Sequence, residues 1–374
     1  MKFDLTEERQ MLQDGLRRFL ADTLDKKARE AVAEGDTGYS QEAWDGLAEM
    51  GVIGALFTED EGGFGGAGFD LSVVFEELGR AGATEPLLEI VPAGGLIARR
   101  GSDAQKALIE DVIAGSTMLA FAHGEPGSRY DLSRVATEAR RDGDTYTLTG
   151  RKAVVPAAGQ AGKIVVSART GGDVADEDGL SLFLVDADAD GLDIRDYRTM
   201  AGGHAAELAL DGVTAELLGG EGDAYADIEW ATARATAALS AEALGLMEAC
   251  RKLTADYLKQ RTQFGRPIGK FQALQFRMAD MLVEIEQARS AVINLCGHLE
   301  ADRDTRELHV SATKQLIGKV AKLVVEESIQ MHGGIGMTQE YDLAHIARRL
   351  TMADHRFGDS TYHLGRFARM RAAA

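Results

Sequence analysis

Apolar positions recur every three or four residues near the start of the chain. Met11, Leu12, Leu16, Phe19 and Leu20 form one stripe of an amphipathic helix, and Thr6-Glu7-Glu8-Arg9 before them reads as its start. The same period predicts helices over 41–50, stopped by Gly51, and over 70–80, carried by Leu71, Val74, Phe75 and Leu78 and closed by Gly79 and Gly82. Helices over 86–100 and 104–114 follow less regularly. Near Thr117 the pattern changes. The runs 135–140 and 145–149 flank Asp142-Gly143, a hairpin signal. Residues 164–168 and 180–185 are β-rich, and 208–210 leads into a second Asp-Gly pair at Asp211-Gly212. Short strands separated by turn chemistry predict an antiparallel sheet, not alternating βαβ units. Gly171 to Gly179 reads as a polar loop and Gly219 to Gly222 as a hinge. Helical periodicity then returns over 226–261, 271–300 and 307–331, broken at Gly265 and Pro267 and again at Gly333-Gly334. The fold class is α+β: an N-terminal helical domain (1–116), a middle antiparallel β domain (117–223) and a C-terminal four-helix bundle (224–374).

Composition narrows the functional classes. A chain of 374 residues with 45% hydrophobic and 27% charged residues has an ordinary globular make-up and enough length for a large core. The net charge of −19 argues against a nucleic-acid binder, which needs a basic face. No apolar run reaches the roughly 18 residues of a membrane span, and the N-terminus has no signal-peptide pattern. Cys250 and Cys296 read as buried thiols, and with them the cytoplasm is the expected compartment. No metal-ligand spacing is present. One segment runs against the overall charge: from Tyr341 onward Arg348, Arg349, Arg356, Arg366, Arg369 and Arg371 face only three aspartates. It reads as a solvated helix face, with a subunit contact or an anionic-ligand surface as the alternative.

Gly63-Phe-Gly65-Gly-Ala-Gly68 satisfies a dinucleotide-binding pattern, but no strand precedes it and no βαβ alternation follows. It is expected to be a loop without that role.

Two other motifs carry more. Arg261-Thr-Gln-Phe-Gly-Arg-Pro-Ile-Gly-Lys-Phe-Gln272 and Gln330-Met-His-Gly-Gly-Ile-Gly-Met-Thr-Gln-Glu-Tyr341 are separated by two helical patterns. An arginine offers a planar fork of donors to phosphate oxygens, and paired glycines let backbone approach an extended ligand. In register, the two motifs resemble the acyl-CoA dehydrogenase family, as does the order of domains over the whole chain. The resemblance implies FAD as cofactor, an acyl-CoA substrate and an acceptor such as electron-transferring flavoprotein. It further implies that Arg261, Gln263, Phe264, Gln272, Gln330, Gly333 and Gly334 contact a flavin held mainly by a neighbouring subunit.

The other half of the family's site departs from the pattern. A flavin-covering loop of the form Thr-Glu-Pro-Gly-x-Gly-Ser-Asp is replaced by Gly124-Glu-Pro-Gly-Ser-Arg-Tyr-Asp131. Where the family has Lys-x-Trp-Ile-Thr-Asn, this chain has Lys152-Ala-Val-Val-Pro-Ala157, losing an aromatic contact and a hydrogen bond together worth roughly 1–3 kcal/mol. The usual catalytic glutamate position falls on Phe357. A second family position, on the first long helix of the bundle, falls near Ala235. Lack of a base costs about 10² to 10⁴ in rate. Asp359 and Glu125 are the candidates for an irregular base, although Gly358-Asp359-Ser360 also reads as a helix N-terminus.

The segment from Arg349 to Asp359, with Ser128-Arg-Tyr-Asp131, is similar to small subunits of pimeloyl-CoA dehydrogenases and of paired bacterial steroid side-chain dehydrogenases. The implied role is a non-catalytic subunit with a homologous partner in a heterotetramer. The alternatives are an active homotetramer using Asp359 and a scaffold binding neither flavin nor substrate.

Overall fold

A computed structural model describes residues 5–143 and 145–373. Helices α1 (Glu7–Thr23), α2 (Lys26–Glu34), α3 (Gln41–Glu49), α4 (Gly68–Ala81), α5 (Leu87–Arg100), α6 (Asp103–Lys106) and α7 (Leu108–Ile113) come first. The Thr6 hydroxyl accepts the Arg9 N–H and caps α1 as expected. The single helix predicted over 104–114 is two short ones, the first capped by Ser102. The glycine-rich segment before α4 is a loop folded onto 54–57. Side chains on Gly63 or Gly65 would collide with that backbone, which explains the glycines without a nucleotide.

Seven strands follow: β1 (Leu119–Ala122), β2 (Glu138–Asp142), β3 (Thr145–Pro156), β4 (Lys163–Arg169), β5 (Leu180–Asp186), β6 (Leu192–Arg198) and β7 (His204–Leu218). The sheet is mainly antiparallel, and β1 adds parallel to β4. Asp142 pairs with Thr145 across the predicted hairpin. The second Asp-Gly pair is not a turn. Thr149 faces Asp211 and Leu148 faces Val213, so Gly212, with φ 68°, is the extra residue of a bulge inside β7. Strand β6, which hydrophobic pattern did not reveal, is a largely exposed partner of β7.

The loop at 219–222 is pinned from α5, because Arg100 pairs with Asp223 and Asp227. It leads into α8 (Tyr225–Gln260), followed by a small hairpin of β8 (Thr262–Gln263) and β9 (Arg266–Pro267), then α9 (Gln272–His298), α10 (Arg303–His332), α11 (Asp342–Ala353) and α12 (Ser360–Ala373). Gly333, with φ 67°, ends α10 as predicted. Alanines fill α8 because it is buried along most of its length, packing on α4, α5, α9, α10 and α11. One apolar core runs through both helical regions and a second lies against the sheet. Cys250 and Cys296 are free, buried thiols.

Candidate functional site

A cavity of about 860 Å³ opens where α5, the sheet loops and helices α8, α11 and α12 meet. Its sheet-side wall is built on a buried cation. The Lys152 side chain is fully enclosed, and its Nζ lies 2.7 Å from Glu125 Oε1 and 3.1 Å from Ser167 Oγ. Burial pushes this lysine down to about 8. Burial alone would raise the Glu125 carboxyl. Lys152, the Thr137 hydroxyl and the Ala136 N–H outweigh that and hold it below the usual range. Glu125 is thus a structural acceptor, held as a carboxylate by Lys152, Thr137 and the Ala136 N–H.

His123 stacks on Phe121 at 5.6 Å, and its Nδ1 is 2.9 Å from Ser167 Oγ. Burial holds the ring neutral, pushing it down to about 3. Above it β3 kinks. Val154 and Ala157 have positive φ (52° and 57°), Pro156 offers no N–H, and Val154 is exposed on the cavity wall. A β-branched residue with positive φ is strained, and such strain is concentrated at functional positions.

The helix-side wall is lined by ion pairs that sequence reading did not find. Glu89 on α5 accepts from Arg356 at 2.7 Å, and Glu242 on α8 accepts from Arg349 at 2.6 Å. Arg366 bridges Glu229 and Glu307 at 2.9 and 2.8 Å. Three of the six C-terminal arginines are therefore bound to buried carboxylates, which corrects the expected solvated face. For Arg349 and Arg356 a signal was present as i, i+7 spacing, but the partners of these two lie more than a hundred residues away. Glu85 is the cavity carboxyl without a cation contact. Its Oε1 accepts the Ser40 N–H at 3.1 Å, its Oε2 has no partner, and burial pushes it up.

Phe357 lines the cavity with φ 55°, beneath the Arg356 guanidinium at 5.0 Å. The loop carrying it is held by buried Lys314, which donates to the carbonyls of Asp354 and Gly358, and by His363, bonded to the Phe357 carbonyl. Asp359 is not part of the lining. Its Oδ1 accepts the Tyr362 N–H at 2.7 Å, making it the cap of α12. Ala235 is buried in the core and also outside the lining.

The predicted cofactor contacts lie elsewhere. Arg261, Gln263, Phe264, Gln272, Gln330, Gly333 and Gly334 are all exposed, and none lines the cavity. Phe264 is 89% exposed at the tip of the β8–β9 arm, touching only the edge of Phe271 among aromatic rings. Tyr257, one turn before the arm, stacks on His332 at 4.5 Å, which joins the base of the arm to the Gly333 turn. Side chains at Gly333 and Gly334 would meet open space, so their backbone is reachable from outside. Among the described residues there is no metal-binding cluster and no helix long and apolar enough to cross a membrane.

Comparison with known proteins assigns the whole chain. Three consecutive family profiles match: acyl-CoA dehydrogenase N-terminal domain over 6–116, middle domain over 120–213 and C-terminal domain over 225–370. The short-chain specific acyl-CoA dehydrogenase of Megasphaera elsdenii is 31% identical over 365 residues, covering 93% of this chain and 94% of its own. The solved Tcur3481–Tcur3483 steroid ACAD is 34% identical, with a TM-score of 0.89 over 98% of each chain. The ChsE4–ChsE5 complex from Mycobacterium tuberculosis is 25% identical, with a TM-score of 0.90 over the full length of both chains.

Proposed function

We propose that this chain, which belongs to the acyl-CoA dehydrogenase family, is the non-catalytic subunit of a heteromeric FAD-dependent acyl-CoA dehydrogenase. A bound flavin would supply the hydride acceptor for desaturation of an acyl thioester, with hydride coming from the β carbon and a proton from the α carbon. The residues here fit half of such a site. The exposed arm and the open Gly333-Gly334 turn would meet a flavin seated in an unlike partner, with Arg261 toward its phosphates and Gln272 and Gln330 along its length. The chain's own wall, with Val154 and Pro156, has neither a stacking ring nor a hydrogen-bond donor there.

The observation that carries this reading is the state of the cavity carboxylates. Glu89, Glu125, Glu229, Glu242 and Glu307 are each held by a cation, Glu85 accepts the Ser40 N–H through one oxygen while the other has no partner among the described residues, and by resemblance Phe357 stands where the family has its base. Asp359 as a relocated base is disfavoured by its capping bond. Similarity to the Tcur3481–Tcur3483 steroid ACAD and the ChsE4–ChsE5 complex supports an unlike partner and a bulky acyl group. The test is the flavin-to-chain ratio of the purified chain, read by visible absorbance after its oligomer mass is known. A flavin-poor product that loads fully when co-expressed with a partner supports the reading. One flavin per chain in a homotetramer overturns it.

A further inference from the structure

The helix-side end of the cavity has an unusual lining for a plain hydrocarbon tail. Arg349, near the end of α11, and Arg356, in the loop after it, both line the space. Each is tied by one carboxylate. Arg349 binds Glu242 Oε1 through Nε and one terminal nitrogen, both at 2.6 Å, and Arg356 binds Glu89 Oε1 at 2.7 Å. A guanidinium carries five N–H donors. The remaining donors of these two have no partner among the described residues, and none is among the buried unpaired atoms, so they stay reachable. Glu85 contributes a third carboxyl, 5% exposed, with Oε2 unpartnered.

These groups discriminate among acyl tails. An alkyl end would cover the free N–H groups without bonding them, stripping them of water for nothing. A carboxylate end would meet three carboxyl groups around two guanidiniums, and their like charge would repel it. A ketone or hydroxyl brings an acceptor oxygen without a charge and satisfies the donors in place.

We propose that this chain's own cavity binds a CoA thioester whose acyl group carries a neutral oxygen, held by Arg349 and Arg356. The proposal rests on the reading of the chain as an acyl-CoA dehydrogenase subunit, and adds that its own cavity selects ligand.

The experiment is calorimetric titration of the full chain with three thioesters of equal length: octanoyl-CoA, its analogue with a ketone near the far end, and its analogue ending in a carboxylate. The expected result is binding of the oxo thioester about tenfold or more tighter than octanoyl-CoA, as for sites built to bond a polar group. Replacing the pair together, Glu89→Gln with Arg356→Met, keeps the charge balance and should reduce that preference to about threefold or less while octanoyl-CoA affinity stays within about twofold. Arg349→Lys, which keeps a cation beside Glu242, should weaken the preference without unfolding the chain. Equal binding of the oxo and alkyl thioesters overturns the proposal. Tightest binding of the carboxylate, or no binding of any thioester, does the same. Flavin retention in the partner complex is measured separately. Its loss or survival in Arg261→Ala judges the trans role and leaves the thioester ranking untouched.

Discussion

Lys152 is a buried charge at the centre of the β region's wall of the cavity. It is fully enclosed, and Glu125 is its only carboxylate partner among the described residues. Removing one member of a buried pair leaves the other uncompensated, so Glu125→Gln should destabilise the chain by about 3–5 kcal/mol, read as a lower urea midpoint. A change of under about 1 kcal/mol would mean that Ser167 and the His123 carbonyl suffice for the ammonium. Asp359 makes the opposite case. It serves local structure, and Asp359→Ala should cost about 1 kcal/mol as the loss of a helix cap. Activity of the flavin-loaded complex should stay nearly unchanged; a hundredfold fall would restore Asp359 as a base.

Among elements, the crossing of α4 and α8 is set by two glycines. Gly79 and Gly245 face the backbone of the opposite helix: a side chain on Gly245 would overlap the Glu76 carbonyl, and one on Gly79 the Glu242 carbonyl. The turn of α8 held this way carries Glu242, the partner of Arg349. Gly245→Ala should therefore cost about 1–3 kcal/mol through forced separation of the helices, seen as a lower melting temperature. The β8–β9 arm is an element of another kind, with its side chains exposed and its base fixed by the Tyr257–His332 stack. Arg261→Ala should lower the flavin content of the partner complex while leaving the melting temperature of the isolated chain unchanged. Full retention of flavin would remove Arg261 from the cofactor site.

For the whole molecule, acid stability follows from two histidines held neutral. Burial pushes His123 down to about 3 and His363 to about 4, whereas in the unfolded chain each protonates near 6.5. Between those values the unfolded state binds more protons, so the histidines' contribution to stability is complete above about pH 6.5 and falls as pH drops toward 4. Urea midpoints measured across that window should decline steadily with acidification. A flat profile would place both rings in contact with water. Buried Lys152 and Lys314, each pushed down to about 8, act at the other end, adding stability as pH rises from about 8 toward 10.5.

Much of this architecture follows from local chemistry. A helical period with a capping threonine marks Glu7–Thr23, and an alanine-rich helical run marks Tyr225–Gln260, because those signals act within a few residues of one another. Asp142-Gly143 made a hairpin for the same reason, and the motifs at Arg261 and Gln330 were visible as contiguous strings. The same dipeptide at Asp211-Gly212 became a bulge, because pairing with β3 along the whole of β7 outweighed the local preference to turn. Arg349 and Arg356 looked solvated in sequence, since nothing near them in the chain revealed Glu242 or Glu89. Sequence alone made the family motifs legible, because each is a contiguous string of residues. Only the tertiary structure decided which carboxylates are neutralised and which donors still face the cavity, because burial and pairing of charge depend on residues that meet only after the helices pack.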